Sequence, residues 1–134
     1  VILDFRFRIF AFSSAVMPAS FVQRIAAIFG FLGVSLGAFG AHGLRVILER
    51  NQRVENWETA VLYHLVHAVV LLAISRRESI PSAAVWLFCS GIVIFSGSLY
   101  VLALTGIRWL GAITPIGGLA LLAGWLVLAV GRGK

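Results

Sequence analysis

The sequence predicts an all-α integral membrane protein, an antiparallel four-helix bundle. Three observations predict it. The chain of 134 residues is 60% hydrophobic and 12% charged, where an ordinary soluble domain is about 25% charged. Its mean hydropathy is +1.01, and a single soluble core of this size could not hide so much apolar surface. Four apolar stretches, at about 21–44, 59–75, 82–104 and 109–131, each match the roughly 17–25 residues of a spanning helix. Finally, the basic residues sit in short clusters between these stretches, the pattern of a membrane topology code. The links between stretches are short, which implies an up-down-up-down order.

Taken in order, residues 1–20 form an N-terminal extension. Residues 3–9 alternate apolar and polar, which reads locally as strand or equally as an interfacial segment. The extension lacks the layout of a signal peptide. Met17 directly precedes the first span and reads as a natural start, with residues 1–16 upstream of it. N-terminal sequencing of the native protein decides this. Residues 21–131 form one four-span domain.

The first span carries Gly30, Gly33, Gly37 and Gly40 within about 80° of one another at helical spacing. Small residues at this spacing let helix backbones approach closely. Gly117 and Gly124 in the fourth span form a similar stripe with Ala120. These glycines are expected to be packing surfaces. Trp57 and Trp109 fall at one end of the spans, and Trp86 and Trp125 toward the other, as in two interfacial belts.

The net charge of +6 does not point to nucleic acid, because no basic stripe exists. It points to orientation. The side holding the N-terminus, the second connection and the C-terminus carries Arg6, Arg8, Arg24, Arg76, Arg77, Arg132 and Lys134. The other side carries Arg45, Arg50, Arg53 and Arg108. The positive-inside rule then puts both termini in the cytoplasm. Cys89 is the single cysteine, so no intramolecular disulfide or metal-type cysteine spacing is available.

The second span is unusual for its polar groups, Glu58, Tyr63, His64 and His67. Ionisable groups in hydrocarbon are costly and usually face a partner, a cavity or a functional site. Trp57, Ala60, His64, His67 and Leu71 share one helical face. An i,i+3 pair of histidines can chelate, but two ligands are too few for zinc. His42, at the end of the first span, could approach His64 if the helices run antiparallel. Ser96, Ser98 and Tyr100 of the third span and Thr114 of the fourth lie toward the same end. The expectation is a polar pocket open to the outside, formed by His42, Glu58, Tyr63, His64, His67, Ser96, Ser98, Tyr100 and Thr114. Three readings of these groups stay open: interhelical hydrogen bonds, a ligand, metal or proton site, and a subunit interface. No hydrolase elbow, zinc-protease motif or cofactor motif is present. Catalytic residues and metal ligands are therefore none, and the cofactor is unknown.

Four blocks carry a family likeness. They are Gly37-Ala38-Phe39-Gly40-Ala41-His42-Gly43-Leu44, Trp57-Glu58-Thr59-Ala60-Val61-Leu62-Tyr63-His64-Leu65-Val66-His67-Ala68, Ser96-Gly97-Ser98-Leu99-Tyr100 and Ile107-Arg108-Trp109-Leu110-Gly111-Ala112-Ile113-Thr114-Pro115-Ile116-Gly117-Gly118. In these the chain resembles the YgdD-type small inner-membrane proteins, a domain-of-unknown-function family with a eukaryotic transmembrane relative. The resemblance covers roughly residues 17–131 and implies four spans in a bacterial inner membrane. It supplies no activity and no catalytic residue. The expected function is a non-enzymatic structural or accessory membrane subunit, in contact with the lipid bilayer and with itself or a larger membrane complex. The alternative is a small transporter or ion- or metal-handling protein using His42, Glu58, His64 and His67. A membrane enzyme acting on lipid or quinone is the third.

Overall fold

The structure is a computed structural model that describes residues 17–131. The two readings of residues 3–9 fall outside the described residues. Among the described residues four helices are long and apolar enough to cross a membrane: Ala19–Ala41, Val54–Ile74, Ser82–Thr105 and Arg108–Val130.

Helix α1 (Ala19–Ala41) starts behind Pro18, whose carbonyl accepts from the Phe21 and Val22 amides at 3.1 and 3.3 Å. It ends three residues before the apolar stretch does. The chain turns at His42–Leu44 and enters the short α2 (Arg45–Arg50), braced by the Arg45–Glu49 pair one turn apart. Leu48 of α2 is buried. Asn51 then donates to the carbonyls of Ala103 and Leu104, both at 3.0 Å. Those carbonyls end a helix and would otherwise lack partners. The first connection is thus tied to the third span.

Helix α3 (Val54–Ile74) begins five residues before its apolar run. Glu55 lies in its first turn, where a negative charge suits the helix dipole. The charges therefore belong to the helix although composition assigns them to the connection. His64 stands at the centre of α3, ten residues from either end.

The third span follows Pro81 as α4 (Ser82–Gly91), a π-helical segment (Ile92–Ser96) and α5 (Gly97–Thr105). Gly106 ends it at φ 73°, with its amide on the Leu102 carbonyl at 2.8 Å, the left-handed cap that glycine suits. A 3₁₀ turn (Arg108–Ala112) leads to α6 (Thr114–Val130), which has Pro115 in its first turn.

Helix α1 packs mainly on α3, and α6 on α4 and the π segment. Of their apolar windows, 17% is buried in the first and fourth spans against 39% and 50% in the second and third, so the first and fourth present most of their surface to lipid. One core joins all four: Val22 and Ala26, Leu71 and Ile74, Val85 and Phe88, and Leu121. A second, smaller core holds Leu48, Trp57 and Ala103 at the opposite end.

Candidate functional site

Trp57, Ala60, His64, His67 and Leu71 are buried together on α3. Their polar atoms are not pooled in one cavity. They form separate links to neighbouring helices.

At one level Trp57 donates its indole N–H to the Leu36 carbonyl of α1 at 3.0 Å. Its ring centroid lies 4.7 Å from that of Tyr100. Trp57 is 3% exposed, so it does not anchor an interfacial belt. It is turned inward because Gly40 leaves room for the ring. Trp109 and Trp86 are 65% and 49% exposed.

At the next level His64 Nδ1 meets the Tyr100 hydroxyl at 3.2 Å. Phe29 of α1 stands edge-on, 5.6 Å between centroids. His64 Nε2 is buried with no well-formed hydrogen bond. Ser96, in the π segment, donates to the Ala60 carbonyl at 2.8 Å.

One turn on, His67 donates from Nδ1 to the Tyr63 carbonyl at 2.8 Å and accepts at Nε2 from the Trp125 indole at 3.2 Å. These two partners define one neutral tautomer, since a carbonyl cannot donate and an indole N–H cannot accept. Trp125, expected in an interfacial belt, thus works as the partner of a histidine and links α6 to α3. Elsewhere the Ser98 and Thr114 hydroxyls meet at 2.8 Å, and each also reaches a backbone carbonyl within its own helix region.

The nine expected pocket residues therefore divide. His64, His67, Ser96, Ser98, Tyr100 and Thr114 sit in these links. Tyr63 stacks on His67 and lines an opening of about 460 Å³ between α3 and α6, with Phe95 and Trp125. Glu58 is exposed and lies 3.8 Å from Arg45. His42 is exposed at the end of α1 and does not approach His64. Gly33 lies opposite His64, and His42 comes nine residues later, about 13 Å along the axis. The two buried histidines also diverge, His64 toward α1 and α5, His67 toward α6. Among the described residues no three His, Cys, Asp or Glu side chains converge on a metal position.

The packing glycines also differ among themselves. A methyl group built on Gly33 would sit 2.6 Å from Leu65, on Gly37 3.3 Å from Val61, and on Gly124 2.8 Å from Phe88. On Gly40 it would strike Trp57, and on Gly117 the Phe95 backbone. Gly30 faces open space, because α1 has rotated that position away from α3. Gly91, which no stripe singles out, packs on Leu121. The π segment and the Asn51 contacts also carry no periodic signal.

The description "Protein of unknown function (DUF423)" belongs to the family model that matches residues 36–118. A UPF0382 membrane protein of Staphylococcus saprophyticus is 46% identical over 114 residues, covering 82% of this chain and 94% of its own. The UPF0382 membrane protein YwdK of Bacillus subtilis is 43% identical, covering 82% and 94%. The UPF0382 inner membrane protein YgdD of Escherichia coli is 41% identical over 127 residues, covering 86% and 91%. No solved structure matches.

Proposed function

Since this chain belongs to the DUF423 family of membrane proteins, whose description assigns no activity, we propose that it is a non-enzymatic structural or accessory subunit of a bacterial inner membrane. The observation that carries this reading is the pairing of His67. Both of its ring nitrogens are spent on Tyr63 and Trp125. A catalytic base or metal ligand needs a free nitrogen. Ser96, Ser98 and Thr114 are likewise engaged, so the polar residues pin helices to one another. What remains free is the lipid-facing surface of α1 and α6. That surface suits a partner helix or a second copy. Seven basic residues on the side of the termini, against four on the other, support cytoplasmic ends.

Purification in mild detergent, with native mass spectrometry, tests the proposal. A stoichiometric membrane partner or a defined homo-oligomer is expected. A monodisperse monomer without a partner at native expression would overturn it.

One observation favours a second reading, a small ion-handling protein. His64 Nε2 is buried at the centre of α3 without a good partner, and such groups in membranes often mark ion or proton paths. Proteoliposome flux of protons and divalent cations separates the two. Flux that His64→Ala abolishes and His67→Ala spares would favour it, whereas flux at the level of empty liposomes removes it.

A further inference from the structure

The α1–α3 seam opens sideways near the α1–α2 turn into a cleft of about 340 Å³, within the roughly 300–1,000 Å³ of small-molecule sites. Its floor is apolar, with Gly37 and Ala41 on α1 and Leu62 and Leu65 on α3. Its mouth holds two charges, Arg45 and Glu58. Leu65 lies seven residues from Glu58 on the same helix, so floor and mouth are separated by about 10 Å. The cleft therefore grades from charged to apolar over the distance between a lipid headgroup and the start of its hydrocarbon.

The two charges are not spent on each other. Arg45 Nε donates to Glu49 at 2.6 Å, which uses one of five guanidinium N–H groups. Glu58 lies 3.8 Å from Arg45 Nη1 with its side chain 67% exposed. That separation exceeds a hydrogen bond and leaves the carboxylate open. Arg45 sits between two acids, Glu49 and Glu58, of which only Glu58 lines the cleft.

We infer that this cleft binds one zwitterionic aminophospholipid. The phosphate lies against the remaining N–H groups of Arg45. The primary ammonium donates to Glu58. One acyl chain runs along Gly37 and Ala41 opposite Leu62 and Leu65. Charge complementarity selects this occupant. An anionic lipid without an ammonium could give its phosphate to Arg45 but would leave Glu58 beside that phosphate without a cation of its own. A quaternary ammonium has the charge but no N–H to donate. Glycine and alanine on α1 create the slot, because a larger side chain at these positions would occupy it.

The test places the full chain in nanodiscs of equal phosphatidylethanolamine, phosphatidylglycerol and phosphatidylcholine, then releases it for native mass spectrometry. The wild type should retain one phosphatidylethanolamine per chain, about tenfold above either competitor. Glu58→Gln should erase the preference over phosphatidylcholine, and Arg45→Gln should lower retention of all three. Ala41→Trp, at an exposed position, should exclude the lipid with both charges in place. Thermal melting identifies any variant that fails to fold, and Glu58→Gln, altering an exposed side chain, stands as the variant that decides. Equal retention of the three lipids by the wild type would overturn the inference. So would a preference for phosphatidylglycerol, or retention that neither Glu58→Gln nor Ala41→Trp changes.

Discussion

At the α1–α3 seam the glycines face side chains, whereas where α6 meets the π segment Gly117 faces backbone. Gly33, Gly37 and Gly40 receive Leu65, Val61 and Trp57 in turn. This is a groove filled by knobs, and the ends of those knobs can move. On the other seam Gly117 meets the amide nitrogen and Cα of Phe95, inside the π-helical segment Ile92–Ser96. Close backbone approach at a small residue is a common device of membrane helices. Here it coincides with a wide turn of a kind often found at functional positions. The same residue type thus serves an adaptable contact in one region and a rigid one in the other. Sequence spacing does not distinguish them.

Gly117→Ala should break the rigid seam. The new methyl group can be housed only by moving the Phe95 backbone, which also carries the Ser96 bond to Ala60. We expect a loss of about 3 kcal/mol, the upper part of the range for overpacking, read by unfolding in mixed detergent micelles. A loss below about 1 kcal/mol would show that this seam adapts as readily as the other.

Gly40→Ala sharpens the contrast. It displaces the Trp57 ring and weakens its bond to the Leu36 carbonyl. The expected loss is about 2 kcal/mol, from overpacking plus an impaired hydrogen bond. Tryptophan fluorescence should shift as Trp57 leaves its buried position. An unshifted spectrum with full stability would contradict the inward placement of this ring.

Gly30→Ala marks the smallest effect and the opposite sign. Nothing lies within 4 Å of the added group, and glycine within a helix costs about 0.5–1 kcal/mol relative to alanine. Stability should hold or rise by about 0.5 kcal/mol. A clear loss would mean that Gly30 meets another chain in the membrane, which the same unfolding curve would report as concentration dependence.

Much of the fold was legible because hydropathy is additive along the chain. The four spans were readable from runs of Leu, Val, Ile, Ala and Phe, and the α3 face of Trp57, His64, His67 and Leu71 from its period. The start of α3 was not, since Glu55 and Glu58 are compatible with either a connection or a first helical turn. The candidate site was legible as a set of residues but not as a set of partners. His42 was expected near His64, and the helix register puts them far apart. Trp125 read as an interfacial residue, and it is the hydrogen-bond donor to His67. Gly30 and Gly33 looked alike, and one faces open space while the other faces Leu65.

By itself the sequence determined that this chain carries four stretches long and apolar enough to cross a membrane, that its second span carries polar groups, and which family it resembles. Those properties depend on local composition, spacing and matching residues. The tertiary structure decided which groups meet. It paired His67 with Trp125 and left His64 Nε2 without a good partner. It turned Trp57 inward and left a charged-mouthed cleft beside Arg45 and Glu58. The physical reason is that partners across helices depend on each helix's rotation and axial register. A shift of one residue turns a side chain by about 100° and moves it 1.5 Å along the axis, while the hydropathy of the run hardly changes.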